Sequence, residues 1–459
     1  MPRFSPQRGL HRIRRIRREG RLGASPPSVL AGGFLGLILL GTMLLALPFA
    51  GKDHPLSLFE ALFTATASVT VTGLSIVSPQ ELSLFGQWVS IILVQIGGLG
   101  FVTIAVVSAI TLGHRMSLRQ QSLALEAFNQ TSTARLTQTA LSVLKITVTI
   151  EAGMAVLLFL WWWLKGSLDA LPALRYAVFH AIAAFNNSGY SLFNDSLASF
   201  NDDGITIAIL STTIILGGIG FPIIVEVLRK KRWATLQPYV RLILLTTALL
   251  NLLGFIGIWL LEARNPATLG ALEWTDQARA AWMQSVALRT AGFSSFQMDA
   301  MDDSTTLLAA VLMFIGGGSM STAGGIKLGT FIVIMATVFA YLMQRKEVVL
   351  MQRSIAPETI HKTLAVVVVT LLAAVFSLLL LTIFEDHPLS SLMLEVVGAL
   401  STTGLSQALT PELSRASHCV LLLLMFMGRV GPLTLVYSLA IRNRRASRVR
   451  YPEMEFQVG

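Results

Sequence analysis

The sequence predicts an all-α polytopic membrane protein made of four helix, re-entrant loop, helix repeats around one pseudo-fourfold axis. Three observations carry this: apolar stretches recur from end to end, basic and acidic segments alternate between them, and a pair of glycine motifs occurs four times. The stretches are about 20 residues long, which is the length that crosses a bilayer. With 53% hydrophobic and 13% charged residues over 459 positions, the chain lies far from the soluble average of about a quarter charged. Cys419 is the single cysteine, which excludes an internal disulfide and a thiolate metal cluster.

The charge pattern reads as topology. A formal charge of +10 would suit nucleic acid only if the basic residues shared one soluble face, and here they sit between apolar segments. Eight arginines fall in the first 21 residues, directly before an apolar run starting near Val29, so this end is expected in the cytoplasm. A cleaved signal peptide is the competing reading. It is disfavoured because the apolar run exceeds a typical h-region and Pro48-Phe49-Ala50 lacks the small residue of a cleavage site.

Further basic clusters follow at His114-Arg115-Arg119, Arg229 to Arg232, Arg345-Lys346 with Arg353, and Arg442 to Arg450. Between them lie acidic segments with Asp53, Glu60 and Glu81, then Asp195, Asp202 and Asp203, then Asp299, Asp302 and Asp303, then Glu385, Asp386, Glu395 and Glu412. Eight crossings are predicted near 29–50, 85–111, 138–164, 205–228, 238–262, 304–343, 362–384 and 416–440, with acidic segments outside and both termini in the cytoplasm. The Trp161-Trp162-Trp163 run near a crossing end is expected to be an interfacial anchor.

Each outer connection is too long for a turn and too apolar for a solvated loop, so each is expected to hold a short helix that re-enters the membrane. Aligned on a glycine, the loops read Thr70-Val71-Thr72-Gly73-Leu74, Asn186-Asn187-Ser188-Gly189-Tyr190, Arg289-Thr290-Ala291-Gly292-Phe293 and Ser401-Thr402-Thr403-Gly404-Leu405. A serine follows the large apolar residue every time, at Ser75, Ser191, Ser294 and Ser406. Second glycine motifs, beginning at Gly97, Gly217, Gly316 and Gly428, lie 24, 28, 24 and 24 residues downstream. Two motifs agreeing across four units make a repeat. It divides the chain into a basic cytoplasmic N-terminus (1–27), pore unit 1 (28–113), a cytoplasmic amphipathic connection (114–136), unit 2 (137–232), unit 3 (233–346), unit 4 (347–441) and a cytoplasmic tail (442–459).

A bare ion in hydrocarbon needs its lost hydration replaced, and a ring of backbone carbonyls does so without net charge. Glycine allows the backbone that presents such carbonyls, and irregular backbone at membrane depth survives only where it is buried or lines a cavity. Re-entrant helices with C-terminal ends aimed at the axis favour a cation there, and the outer acidic residues enrich cations at the mouth. The Gly97-Gly98-Leu99-Gly100 and Gly217-Gly218-Ile219-Gly220 runs lie inside apolar crossings, without the strand and acidic ligand of a nucleotide loop. No catalytic constellation is visible, so an enzyme is not expected; Glu126, Lys145 and Glu151 read as structural pairs. A carrier of inverted repeats would alternate the orientation of its units, whereas the basic clusters orient all four alike.

These residues resemble the Trk/Ktr/HKT superfamily of potassium transporters over about residues 28–440. Thr70-Val71-Thr72-Gly73-Leu74 is similar to the potassium-channel filter, and the run from Gly316 to Lys327 closely resembles the family's intramembrane loop. The resemblance implies a single pore with a filter at Thr70, Val71, Thr72, Gly73, Asn187, Ser188, Gly189, Thr290, Ala291, Gly292, Thr402, Thr403 and Gly404. It implies a gate at 316–327, with Gly316, Gly317, Gly318, Ser319, Ser321, Thr322, Gly324, Gly325 and Lys327; a helix kink is the other reading of that glycine-rich stretch, which is a poor helix former. Arg429, where units 1 and 2 carry Gly98 and Gly218, is either a charge beneath the filter that retards cations or a donor to gate-loop carbonyls, or both. Lys327, at the end of that loop, carries a weaker version of the same claim, with snorkelling to the cytoplasm as the other reading.

In plant members of the superfamily a serine in place of the first-unit glycine goes with sodium transport; all four are glycine here, which favours potassium as the substrate, with a sodium-permeable or sodium-coupled cation transporter of the same fold as the alternative. Trk-type subunits have two additional N-terminal crossings, so the chain looks like a Ktr-type subunit of a bacterial plasma membrane. The resemblance then implies a homodimer, a cytoplasmic nucleotide-binding regulatory subunit, no covalently bound cofactor and no nucleic acid. The basic termini are expected to contact either that regulator or the anionic lipid of the inner leaflet.

Overall fold

The computed structural model describes residues 26–100 and 133–431. The N-terminal arginines, the His114-Arg115-Arg119 cluster, Glu126 and the tail after 431 lie outside those residues, as do the inner halves of the first and last predicted loop-following crossings.

Each unit opens with a helix, α1 (Pro26–Leu45), α4 (Thr133–Leu164), α8 (Pro238–Glu262) and α12 (Pro357–Phe384). A shorter helix follows, α2 (Leu58–Thr70), α5 (Ala170–Asn186), α9 (Trp274–Ala287) and α13 (Leu389–Leu400). Each unit then continues with α3 (Leu84–Leu99), α6 (Gly204–Ile219), α10 (Asp303–Phe314) or α14 (Arg415–Val430); α7 (Phe221–Lys230) extends unit 2 and α11 (Leu328–Leu342) extends unit 3. Helix α4 begins at Thr133, inside the stretch assigned from sequence to the cytoplasmic connection. A two-stranded ribbon, β1 (Val349–Leu350) and β2 (Arg353–Ser354), joins units 3 and 4 through Met351 and Gln352, both at positive φ.

Among the described residues, three helices are long and apolar enough to cross a bilayer, Ala140–Leu164, Pro238–Glu262 and Pro357–Phe384. In α12 the buried residues are Thr363, Thr370, Ala374, Ser377 and Leu381, while Leu364, Val368, Leu371, Leu372, Val375 and Phe376 are exposed. Small and polar inward, leucine outward is the arrangement of a helix that packs inside a bundle and meets lipid on its other face.

The loop-following helices start where sequence puts good N-caps. Ser83 accepts from the Gly86 N–H, Asp203 from Ile205 and Thr206, and Ser414 from Ser417, each filling an orphan donor of the first turn. They also stop early. Gly100 (φ 80°), Gly220 (φ 103°) and Gly431 (φ 93°) end α3, α6 and α14, and α6 and α7 are bent by 102° about Gly220. The crossing predicted as one span over 205–228 is therefore corrected to a broken one, because Gly220 adopts a φ that a continuing helix does not allow.

The tryptophan run is also corrected. Trp162 is 1% exposed and packs edge-on against His180 and Phe193, with its indole N–H donated to Thr206; Trp161 donates to Asp203. Trp163 alone of the three is exposed. On a helix, three consecutive residues point in three directions, so one face of the run had to enter the core.

Candidate functional site

The short helices α2, α5, α9 and α13 are buried over their last turns and end at the aligned loops. Val71 and Asn187 cap α2 and α5 in the left-handed region, and the next residue's N–H returns to the helix, Thr72 to the Ala67 carbonyl at 2.8 Å and Ser188 to that of Ala183 at 3.0 Å. Unit 4 repeats this with Thr403 donating to Gly398 at 2.8 Å. This is the Schellman closure.

Each loop then holds two left-handed residues, two positions apart. They are Val71 and Gly73 (φ 57° and 89°), Asn187 and Gly189 (58° and 71°), Thr290 and Gly292 (66° and 75°), and Thr402 and Gly404 (51° and 75°). Left-handed backbone at β-branched Val71, Thr290 and Thr402 costs on the order of 1–3 kcal/mol each, strain of the kind that persists at functional sites. From the sequence, positive φ is expected at the glycines, with the residues flanking them leaving the usual α and β regions or alternating about them.

The loops form a closed ring. A Cβ on Gly73 would strike the Ser188 carbonyl, one on Gly189 the backbone of Gly292, one on Gly292 the Thr403 carbonyl, and one on Gly404 the Thr72 carbonyl. The order is 1, 2, 3, 4 and back to 1. Thr70, Val71, Thr72, Asn187, Ser188, Thr290, Ala291, Thr402 and Thr403 are all buried, and the four glycines face an outer cavity of about 470 Å³. Asp195 and Asp299 are on its wall. All thirteen predicted filter residues are thus brought together.

The second glycine motif lies directly beneath. A Cβ on Gly97, Gly217 or Gly428 would collide with the Val69, Phe185 or Leu400 carbonyl, each four residues before the ring glycine. Absence of a side chain lets these helices abut the ends of the re-entrant helices, which accounts for the repeated spacing. Unit 3 departs. Helix α10 stops at Phe314 and α11 starts at Leu328, so the stretch between is a loop rather than a kink.

That loop is pinned at its neck and docked on unit 2. Gly316 N–H donates to Ile326 at 2.9 Å and Leu328 N–H to Gly317 at 2.9 Å; Gly318 N–H reaches Gly218 at 2.8 Å, and the Thr322 hydroxyl reaches the Phe185 carbonyl at 3.0 Å. Ser321 caps the Gly318 carbonyl at 2.7 Å, Ser319 lies against Gly220, Gly324 lies against Thr402, and Gly325 is left-handed beside Gly316. Lys327 Nζ donates to the Ala323 carbonyl at 2.5 Å. Arg429, from unit 4, donates to Thr322 at 2.6 Å, to Gly97 at 2.5 Å and to Gly98 at 3.1 Å, tying the unit 3 loop to unit 1.

Two contributors escaped the sequence reading. Arg289, 7% exposed, donates to the Gly316 carbonyl at 3.0 Å and to Thr247 at 3.3 Å, holding the loop from the other side. An arginine within an apolar re-entrant segment is costly enough to have signalled a partner. Asn186 donates to Glu151 at 3.0 Å and Gln95 at 2.7 Å, and Gln95 donates to Glu151 at 3.1 Å, so Glu151 pairs with neutral amides behind the second loop.

Four buried helices converging by their C-terminal ends on a closed ring of glycine loops, inside a bundle that shows leucine to its surroundings, define the fourfold re-entrant-loop class of membrane protein. The chain belongs to the TrkH family of cation transport proteins, whose family model matches residues 34–450. It is 40% identical over 441 residues to the Ktr system potassium uptake protein B of Bacillus subtilis (strain 168), covering 95% of this chain and 97% of that protein. It is 38% identical over 451 residues to the protein of the same name from Vibrio alginolyticus, covering 97% and 98%. Among solved structures, the potassium transporter TrkH from Vibrio parahaemolyticus shares the fold with a TM-score of 0.69 at 20% identity, over 90% of this chain and 85% of that one. The chain is a membrane cation transporter and not an enzyme.

Proposed function

We propose that the chain takes up potassium across the plasma membrane through a selectivity filter formed by the four loops. The 316–327 loop gates it, together with Lys327 and Arg429, and a cytoplasmic nucleotide-binding subunit regulates it. The observation that carries the reading is the cyclic neighbour order of Gly73, Gly189, Gly292 and Gly404, with left-handed backbone at alternate positions of each loop. Backbone of this kind turns successive carbonyls toward one axis, where they replace the hydration shell of a monovalent cation. Helix C-termini at the same place add their partial negative charge.

Potassium rather than sodium is supported by glycine at all four ring positions and by the names of the two Ktr relatives. The words "Ktr system" in those names support a partner subunit, and the superfamily resemblance supports a homodimer. The loop lies directly under the ring and is held by Arg429 and Arg289, which suits a plug that withdraws when those hydrogen bonds are exchanged. Growth of a potassium-uptake-deficient bacterium on limiting potassium tests the reading. The chain should restore growth and a Gly73→Asp variant should not; rescue by both, or by neither with the protein present in the membrane, overturns it.

A further inference from the structure

Behind the ring, one side-chain pair recurs at a fixed separation. His180 Nε2 faces the Ser191 hydroxyl at 3.1 Å, Gln284 Oε1 faces the Ser295 hydroxyl at 3.2 Å, and Glu395 Oε1 accepts from the Ser406 hydroxyl, the partners standing eleven positions apart each time. The first member lies on a re-entrant helix and is almost fully buried, at 0%, 1% and 0% exposure. The second lies two or three residues beyond the ring glycine.

Each pair extends into the turn above. His180 Nδ1 lies 2.8 Å from the Tyr176 carbonyl and must donate to it, which leaves Nε2 as an acceptor for the Ser191 hydroxyl, shared with the Ser196 carbonyl at 3.1 Å, and, at 3.4 Å, for the Leu192 N–H. Gln284 Oε1 also accepts the Ser295 N–H at 3.0 Å, the firmer of its two contacts because the Ser295 hydroxyl is shared with the Ala280 carbonyl at 2.8 Å, and Glu395 Oε2 accepts from Thr410 at 2.8 Å. The chemistry differs in every unit while the geometry repeats.

Unit 1 breaks the pattern. The same eleven-residue step there joins Thr64 to Ser75, and the buried Thr64 hydroxyl has no hydrogen-bond partner among the described residues. A threonine is too short to span the gap that histidine, glutamine and glutamate span. The loops of units 2, 3 and 4 are therefore tied down on both sides of their glycine, by the helix end before it and the side-chain pair after it, whereas the loop of Gly73 lacks that pair and is held seven residues further on, by Gln80 Nε2 donating to the Ser191 and Phe193 carbonyls of unit 2 at 3.0 and 2.7 Å.

We infer that His180, Gln284 and Glu395 are positioning residues that set the width of the filter and hence its discrimination between potassium and sodium, with the unbraced first loop as its deformable quadrant. This rests on the filter reading proposed above. A carbonyl ring selects by distance and number of oxygens, so a brace that removes one direction of loop movement sharpens selection without touching the ion.

The test compares KM and Vmax for potassium and sodium in cells carrying His180→Phe, Gln284→Leu, Glu395→Met, Thr64→Val or Gly73→Ser. The three brace variants should lower the ratio of sodium KM to potassium KM by roughly 3- to 10-fold, the span expected for one lost hydrogen bond. Thr64→Val, which removes an unpartnered hydroxyl, should leave the ratio unchanged. If Gly73→Ser shifts the ratio and no brace variant does, the braces are overturned while the filter stands; if Gly73→Ser also leaves it unmoved, the filter reading falls and the inference with it. A shift in Thr64→Val equal to the others overturns it as well. Should His180→Phe fail to reach the membrane, Gln284→Met and Glu395→Met, which keep side-chain length but lose the oxygen that accepts from the serine, decide.

Discussion

At the scale of single residues, the ring is governed by what has no side chain. Gly189 combines φ 71° with a Cβ position 2.8 Å from the Gly292 backbone, so alanine there meets both conformational strain and an atom that cannot move aside. Gly189→Ala should lower potassium uptake at least about tenfold, since the left-handed region alone costs an alanine roughly 1–2 kcal/mol. Gly36→Ala, whose Cβ would meet nothing within 4 Å, should leave uptake unchanged. Arg429 acts in the opposite sense. Its three hydrogen bonds join the unit 3 loop to unit 1, and charged hydrogen bonds are the strong ones. Arg429→Ala should raise Vmax for rubidium influx by roughly tenfold at unchanged membrane abundance; an unchanged Vmax would remove Arg429 from the gate. The glycines were legible because positive φ has a sequence signature. Val71, Thr290 and Thr402 were not, because nothing in a β-branched residue announces that its surroundings force it left-handed.

Individual elements show why some features were readable and others hidden. The glycine spacing was visible as a repeat, but its cause, helices abutting the Val69, Phe185 and Leu400 carbonyls, needed the three-dimensional register. The break at Gly220 was masked by apolar residues on both sides, which look the same in a straight span and a bent one. The 316–327 loop was readable because glycine, serine and threonine cluster there beyond what a helix tolerates. Deleting Gly316 to Ala323 should raise ion flux, measured as rubidium uptake per transporter; equal flux would make the loop a packing element only. The outer end of α6 is held differently. Burial pulls the Asp203 pKa upward, but the Trp161 indole, the Thr206 backbone and hydroxyl and Lys165 Nζ outweigh it, so the carboxyl sits below its ordinary value. A lowered folded pKa gives stability that is present above the unfolded pKa and lost as pH falls through the folded one. Asp203→Asn should therefore melt earlier than the parent at pH 7, and the gap should close as pH drops below about 4, read by thermal unfolding in detergent.

For the whole molecule, the consequence that matters is that all four units point the same way. Only then do four helix C-termini meet at one place, and only then do the loops neighbour in the cyclic order that Gly73, Gly189, Gly292 and Gly404 follow. Sequence conveyed this through charge, since arginine and lysine retained on one side orient each hairpin independently of the others. Inverted repeats would instead reverse units 2 and 4. Cys419 is the single cysteine, so replacing it with serine gives a background in which new cysteines report sidedness without interference. Asp53, Asp195, Asp299 and Asp386 are exposed, one in each outer segment, and Arg232 and Arg345 are exposed at the opposite ends of units 2 and 3. Cysteines at the four aspartates should react with a membrane-impermeant maleimide on intact cells, and those at Arg232 and Arg345 only after permeabilisation. Labelling of Asp195→Cys from the inside while Asp53→Cys labels from the outside would require units 1 and 2 to run in opposite senses, and a ring closed by four like-oriented helix ends could not then exist.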